Sequence, residues 1–202
     1  MTRRAAILFC ASALTALAQS SNFVWDYSGW GPDLRYGGSA YGWVVNGDGT
    51  FASTGGGSDM WPTGVSGANP NDYEINTTLL LNSPGGTYMH FLRAATTVVP
   101  GSGSYISVEL AVPSNWQSGG AVPLAVNQCV NGTVTQLAST SVPLHPGDAL
   151  RSIVFGTNLW IFINNIQYGT YTIPQTTGQP GYAATAYQAA VVSHFIARRP
   201  AR

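Results

Sequence analysis

The sequence predicts an all-β protein, a two-sheet antiparallel β-sandwich with its strands in jelly-roll order. One observation is the composition, because the 202 residues are 45% hydrophobic but only 8% charged, which is enough apolar content to bury a core. A second is the lack of lysine and the presence of only two glutamates, Glu74 and Glu109. Since lysine and glutamate cover most exposed helix faces, their scarcity argues against helices.

The third observation is a series of short runs in which apolar and polar residues alternate, separated by Gly, Pro, Asn and Asp. They predict about a dozen strands in one domain. The predicted strands lie near 23–27, 41–46, 49–54, 71–81, 87–94, 104–112, 122–130, 133–141, 149–155, 158–164, 166–172 and 187–196. The run 104–112 alternates cleanly, and its predicted core face consists of Ile106, Val108, Leu110 and Val112.

Two hairpins are marked by dipeptides that tolerate positive φ, as a two-residue type I′ turn requires. Asn131-Gly132 forms one turn, and Asn164-Asn165 in TNLWIFINNIQYGT forms the other. The second turn predicts the opposed pairs Ile163 with Ile166, Phe162 with Gln167, Ile161 with Tyr168 and Trp160 with Gly169. The core face of that hairpin is then Leu159, Ile161 and Ile163. Trp160 and Phe162 occupy the outward face, where a surface strand normally carries polar residues.

Residues 1–18 have the features of a secretory signal peptide, followed by a single domain over 19–202. Arg3 and Arg4 precede an apolar run at 5–17, and Ala16-Leu17-Ala18 has the small residues of a cleavage site. The run is too short to span a membrane, so a secreted or periplasmic protein is expected, without membrane insertion. Cleavage leaves six arginines and eight acidic residues, a net charge of about −2 (6 − 8). A protein with this charge is not expected to bind nucleic acid.

No cofactor or metal site is predicted. After cleavage Cys129 is the only cysteine, and it is expected to be a small buried strand residue. The three histidines, His90, His145 and His194, are too scattered to indicate a zinc site. Calcium is chemically allowed by the Asp and Asn residues of GDG (47–49) and NPND (69–72), but neither stretch has EF-hand spacing.

Catalytic motifs are absent, since the sequence has no G-x-S-x-G, no H-E-x-x-H and no P-loop. Glycoside hydrolysis needs two carboxylates about 5–10 Å apart. Glu74 and Glu109 are weak candidates for such a pair, although they lie on different predicted strands. Arg93 is expected near Glu109 across adjacent strands, either in a surface ion pair or as a polar anchor beside a binding face.

Aromatic residues carry the functional prediction. Sugars present C–H faces that stack on aromatic rings, while polar neighbours hydrogen-bond their hydroxyl groups. We therefore predict that Trp160 and Phe162 stack on sugar rings. The further predicted ligand-binding residues are Tyr105, Gln167, Arg93 and Glu109, as polar neighbours on the same sheet, and Trp116 in a loop.

Several segments, taken in order, resemble the concanavalin A-like, laminin-G-like jelly-roll superfamily. They are the strand end FLR (91–93), YISVEL (105–110), the NGT hairpin (131–133), GDALR (147–151), LWIFINN (159–165) and the turn GQPG (178–181). The resemblance covers residues 70–196, and 23–54 more loosely. It implies a fold shared by lectins, carbohydrate-binding modules, glycosidases, polysaccharide lyases and adhesion domains. The E-x-D-x-x-E strand of laminarinase-like members and the R-x-E-x-R strand of alginate-lyase-like members are absent here.

Three functions are consistent with these features. The first is a secreted, non-catalytic, lectin-like module that binds a glycan or polysaccharide, and the aromatic outward strand favours it. The second is a glycosidase or lyase that uses Glu109 or Glu74. The third is a structural or adhesion protein whose aromatic surface binds a protein partner or is covered by the N-terminal segment.

Overall fold

The structure, a computed structural model, describes residues 72–80, 85–94 and 103–178 with their side chains, together with Pro180 and Gly181. For the other strands between 24 and 62, at 179–184 and at 191–198 it describes the backbone. The strands are β1 (Val24–Ser28), β2 (Gly38–Tyr41), β3 (Trp43–Val45), β4 (Phe51–Ser53), β5 (Ser58–Pro62), β6 (Tyr73–Leu79), β7 (Gly86–Ala94), β8 (Tyr105–Val112), β9 (Ala121–Val130), β10 (Thr133–Pro143), β11 (Asp148–Phe155), β12 (Asn158–Ile163), β13 (Ile166–Thr172), β14 (Gln179–Ala184) and β15 (Val191–Arg198).

The strands form two sheets. Sheet A has the order β13-β12-β11-β6-β15-β4-β3, and β1 also pairs with β15. Sheet B has the order β10-β9-β8-β7-β14-β5-β2. All described strand pairs are antiparallel. The predicted all-β, two-sheet antiparallel sandwich is therefore confirmed. Among the described residues, no helix is long and apolar enough to cross a membrane.

Alternate residues of the central strands fill the space between the two sheets. On β8 the predicted core face is buried, and so is that of β12, which consists of Leu159, Ile161 and Ile163. Each such aliphatic side chain stabilises the fold by about 1.5–3 kcal/mol when it leaves water. This strict alternation determines which side chains of the same strands face outward.

His90 connects the two sheets inside the core. It lies on β7 of sheet B and contacts two hydroxyl groups of sheet A. Its Nε2 is 2.8 Å from Thr77 Oγ1 on β6, and its Nδ1 is 2.9 Å from Ser152 Oγ on β11. In the neutral ring one nitrogen donates and the other accepts, and hydroxyl groups can take either role. The buried imidazole thus has a hydrogen-bond partner at each nitrogen.

The dipeptides of both predicted turns have the positive φ angles that such turns require. Asn131 and Gly132 connect β9 to β10 with φ of 48° and 84°. Asn164 and Asn165 connect β12 to β13 with φ of 51° and 65°. The Oδ1 atom of Asn164 also accepts a hydrogen bond from the Ala149 amide at 2.9 Å, which ties the turn to β11.

The predicted register of the second hairpin is correct only beside its turn, because a β-bulge interrupts β13 at Tyr168. Beyond the bulge the partners shift by one residue. The observed pairs are Ile163 with Ile166, Phe162 with Gln167, Ile161 with Gly169 and Trp160 with Thr170. A Cβ atom at Gly169 would overlap the ring of Tyr171, so a larger residue there would require that ring to move. The prediction that Trp160 opposes Gly169 is therefore wrong, and a hydroxyl residue lies beside Trp160 instead.

Three strands of sheet B, β2, β5 and β14, were not predicted from the sequence, because the predicted run 41–46 reaches β2 only at Tyr41. The residues 178–181 were expected to form a turn, but Gln179–Ala184 is a strand that pairs with both β7 and β5. Its sequence QPGYAA contains Pro and Gly, which usually mark turns, and has no clear alternation. Pairing on both sides inside the sheet overrides these local preferences.

Candidate functional site

The outward face of sheet A carries a cluster of apolar side chains at one end of the sheet. Trp160 and Phe162 on β12 are partly exposed and alternate with the buried core residues of that strand. On the neighbouring strand β11, Ile153 opposes Trp160, and Phe155 follows on the same face with 46% of its surface exposed. We call Ile153, Phe155, Trp160 and Phe162 the aromatic face. Its members point away from the core; Phe155 is exposed and the other three are half-buried.

Polar side chains of the edge strand β13 border the aromatic face. Gln167 opposes Phe162, and Thr170 opposes Trp160 because of the bulge. Both are exposed, and Gln167 Nε2 donates a hydrogen bond to Thr170 Oγ1 at 2.8 Å. The predicted placement of Gln167 beside the outward aromatic residues is correct. This border offers donors and acceptors next to an indole ring.

An ion pair borders the aromatic face on its other side. Arg151 on β11 opposes Phe162, and its guanidinium carbon is 5.7 Å from the centre of that ring. Its Nε and Nη2 both donate to Oε2 of Glu74 on β6, at 3.1 Å and 2.5 Å. The Glu74 side chain is 1% exposed and that of Arg151 is 24% exposed. Arg151 is therefore held by a buried carboxylate on one neighbouring strand and by an aromatic ring on the other.

Tyr105 and Glu109 lie on β8 of sheet B, so the prediction that they share a sheet with Trp160 and Phe162 is wrong. The Tyr105 ring is 2% exposed and packs edge-on against Phe91, with ring centres 4.7 Å apart. A side chain buried in this way leaves no surface for a sugar. The sequence reveals the alternation within each strand, but not which strand joins which sheet.

The Glu109 carboxylate lies on the outward face of sheet B beside Ser107. The Ser107 hydroxyl donates to Glu109 Oε1 at 2.5 Å. Glu74 lies on the outward face of sheet A. The two carboxylates thus point away from each other on sheets that pack about 10 Å apart. They cannot act across one sugar ring, so the weak prediction of a Glu74–Glu109 catalytic pair is excluded.

Arg93 does not pair with Glu109, and this expectation is wrong. Glu109 opposes Met89 on β7, whereas Arg93 has a φ of 56° and leaves the extended conformation at the end of that strand. The Arg93 guanidinium turns towards sheet A, where Nη2 donates to the Gly156 carbonyl at 2.9 Å and is 3.5 Å from Asp72 Oδ1. At 1% exposure, Arg93 joins the ends of the two sheets and does not border a binding face.

Trp116 lies in the loop between β8 and β9. Its indole Nε1 donates to the Gly120 carbonyl at 3.3 Å, and its ring packs against the core. This loop connects two strands of sheet B, whereas the aromatic face lies on sheet A. The ring supports the loop conformation, and its predicted contact with a ligand stays a prediction.

Metal ligands do not converge anywhere in the part of the chain that the structure describes, where no group of three or more His, Cys, Asp or Glu side chains could hold an ion. The GDG stretch (47–49) and most of NPND (69–72) lie outside the described residues. Cys129 is buried and free, as predicted from its place in a strand.

Sequence reasoning missed four residues of the site, namely Arg151, Ile153, Phe155 and Thr170. A signal for three of them is present, because alternate residues of 149–155 have to share one face of a strand. Recognising that this face points outward beside Trp160 requires the pairing of β11 with β12. Thr170 is brought to Trp160 by the bulge, which has no clear sequence signal.

Comparisons place this arrangement among known folds. The sequence matches no protein-family model and no curated protein. The CBM66 carbohydrate-binding module from Bacillus subtilis superposes with a TM-score of 0.57 at 13% identity, covering 78% of this chain and 91% of the module. The legume lectin-like domain from Entamoeba histolytica has a TM-score of 0.55 at 13% identity, covering 83% and 92%. A β-glucanase from Bacillus licheniformis has a TM-score of 0.55 at 10% identity, covering 89% and 98%.

These similarities extend over most of the chain and over nearly the full length of each solved structure. At such low identity they concern the fold, and residue roles do not transfer. The jelly-roll order predicted from the sequence is confirmed in this way. The chain has the concanavalin A-like jelly-roll fold that is shared by lectins, carbohydrate-binding modules and β-glucanases.

Proposed function

We propose that this protein is an exported, non-catalytic module that binds a glycan through the aromatic face of sheet A. The observation that carries the proposal is Trp160, partly exposed on an outward sheet face between the hydroxyl group of Thr170 and the apolar side chain of Ile153. A sugar ring stacked on the indole would bury its C–H face there. Its hydroxyl groups would reach the polar border.

The setting of the face supports a sugar over a purely apolar ligand. Gln167 and Thr170 together provide an amide, a hydroxyl and their remaining hydrogen-bonding capacity at the edge of the indole. Arg151 provides further N–H donors on the opposite side. Small-molecule sites typically combine an apolar surface with a few precisely positioned polar groups, which orient the ligand.

The positions of the two glutamates support binding without hydrolysis. Glu74 is engaged by Arg151, and Glu109 lies on the other sheet. Acid–base chemistry on a glycoside needs two carboxylates that face one cleft, and neither of these has the other as its partner. The carbohydrate-binding module and the lectin-like domain among the similar structures support a binding role. Because a β-glucanase has a similar fold, the experiments also test for hydrolysis.

Export is part of the proposal, because residues 1–18 have the charged, apolar and cleavable order of a signal peptide. Action in the periplasm or outside the cell follows from it. Sequencing the N-terminus of the protein recovered from the periplasm and from the medium tests this part. We expect a mature chain that begins at Gln19.

Replacing Trp160 by alanine is expected to weaken glycan binding at least about tenfold, or about 1.4 kcal/mol, because the stacking surface is lost. The measurement is binding of the mature chain to a glycan array and to insoluble polysaccharides, followed by titration calorimetry on the strongest ligand. Leu137→Ala is the matched control, since Leu137 is an exposed apolar residue, 40% exposed, on β10 of sheet B. We expect its affinity to equal that of the unchanged protein.

Several results would count against this proposal. Binding to no glycan, or equal affinity after Trp160→Ala, rejects the aromatic face as a glycan site. Release of reducing or unsaturated sugars from a bound polysaccharide rejects the non-catalytic part. Self-association in size-exclusion chromatography that disappears in Trp160→Ala, without any glycan binding, assigns the face to a protein interface.

A further inference from the structure

We infer that Arg151 is the specificity-determining residue of the aromatic face and that it binds two adjacent hydroxyl groups of an uncharged sugar. The inference rests on the glycan binding proposed above and names the chemical class of the ligand. It is carried by the juxtaposition of the Arg151 guanidinium, the buried Glu74 carboxylate and the rings of Phe162 and Trp160.

The hydrogen bonds of Arg151 leave one edge of its guanidinium unused. The group has five N–H donors, and the bonds from Nε and Nη2 to Glu74 Oε2 engage one side edge. The end edge, with one N–H on Nη1 and one on Nη2, has no partner among the described residues. Two parallel donors in this fork match two acceptor oxygens placed side by side, such as a vicinal diol or a carboxylate.

The residues around Arg151 hold its guanidinium beside the indole of Trp160, on which a sugar ring would stack. Its contact with Phe162 uses one face of that ring, so the indole of Trp160 is the main surface left for stacking. Arg151 opposes Phe162, and Trp160 opposes Ile153, which makes Arg151 and Trp160 diagonal neighbours on one sheet face. Diagonal neighbours lie about 7–8 Å apart, within reach of long side chains. A sugar stacked on Trp160 can therefore present its ring hydroxyls to the fork.

Charge decides between a diol and a carboxylate. Glu74 places a negative charge against Arg151, and because the Glu74 side chain is 1% exposed, salt and water screen that charge poorly. An anionic sugar bound to the Arg151 guanidinium would be attracted by its positive charge but repelled by the nearby Glu74 carboxylate. An uncharged diol uses the same donors without that repulsion. The preferred ligand is thus a neutral sugar with adjacent free hydroxyl groups.

The test compares the mature chain with two variants on an array that holds both neutral polysaccharides and polysaccharides rich in uronate or sulfate. The unchanged protein is expected to bind neutral members, with an affinity that changes less than about twofold when the ionic strength rises tenfold. Glu74→Gln keeps the shape and one acceptor for Arg151 but removes the negative charge beside it. We expect it to gain about tenfold in affinity for anionic members, and this gain should disappear at high salt.

Arg151→Lys is the second variant, and it keeps the ion pair with Glu74 while losing the planar fork. We expect it to weaken binding of the neutral ligand about tenfold while thermal unfolding stays close to that of the unchanged protein. A merely structural role of Arg151 does not predict the switch towards anionic ligands in Glu74→Gln. If that variant fails to fold, Arg151→Lys and the salt dependence of the unchanged protein remain as tests.

The outcomes separate this inference from the proposed function. Trp160-dependent binding that Arg151→Lys leaves unchanged overturns the inference alone. The same holds if the unchanged protein prefers anionic glycans and loses affinity steeply with salt. Absence of any Trp160-dependent glycan binding overturns the proposed function and this inference with it.

Discussion

Gly178→Ala is expected to destabilise the domain by about 3–5 kcal/mol, enough to unfold much of a marginally stable protein. Gly178 has a φ of 128°, which residues with a Cβ atom rarely adopt. A Cβ atom would overlap the carbonyl group of Arg93 and would lie 2.7 Å from the Ala94 carbonyl oxygen. Since the obstructing atoms belong to the backbone of β7, no side-chain rotation relieves the overlap, and the β7–β14 pairing has to open.

Urea unfolding of the purified variants measures this effect, with Gly147→Ala as the matched control. Gly147 also has a positive φ, 87°, but nothing lies within 4 Å of a Cβ atom built there. Its substitution should cost only the strain of the backbone conformation, about 1–2 kcal/mol. Equal losses in the two variants would show that φ alone matters and that the contact with β7 does not.

Acidification below pH 6.5 is expected to destabilise the domain through His90. Burial in the core lowers the pKa of His90 from 6.5 to about 3. Well above pH 6.5 the ring is neutral in both the folded and the unfolded chain, and its contribution is constant. Between pH 6.5 and about 3 the unfolded chain binds a proton that the folded chain excludes, so stability falls as the pH falls. The slope rises from zero at neutral pH towards about 1.4 kcal/mol per pH unit once the unfolded chain is fully protonated.

The free energy of unfolding, measured from about pH 7.5 to 5, checks this slope before most carboxylates begin to titrate. NMR of the folded protein should show no titration of the His90 ring in the same range. His145→Gln is the control, because the His145 side chain is 58% exposed, and we expect it to retain the slope. A His90 ring that titrates near pH 6.5 in the folded state would contradict the prediction.

The sequence alone predicts much of β8, β9, β12 and the two turns, because the evidence for them is local. Alternation with a period of two identifies the buried side chains of a strand whatever its neighbours are. Asn131 and Asn164 indicate tight turns because asparagine adopts positive φ readily. The buried face of LWIFI and the outward position of Trp160 follow from these two rules.

Other features depend on residues that are distant in the chain. Arg151 and Glu74 are 77 positions apart, and they meet because β6 and β11 pair. Tyr105 alternates as cleanly as Trp160 does, yet it belongs to the other sheet. No property of either strand by itself shows whether it belongs to sheet A or to sheet B. Strand order is decided by the summed burial and hydrogen bonding of both sheets.

The amino-acid sequence thus determined the fold class, the strands with clear alternation, the turns at asparagine and the aromatic character of one outward strand. The tertiary structure alone decided that Glu109 and Glu74 face opposite sides, that Arg93 joins the sheet ends, and that Arg151 borders Trp160. The physical reason is the range of the interactions. Side-chain alternation and turn conformation depend on neighbours in the chain, whereas the composition of a sheet face depends on strands that pair across it.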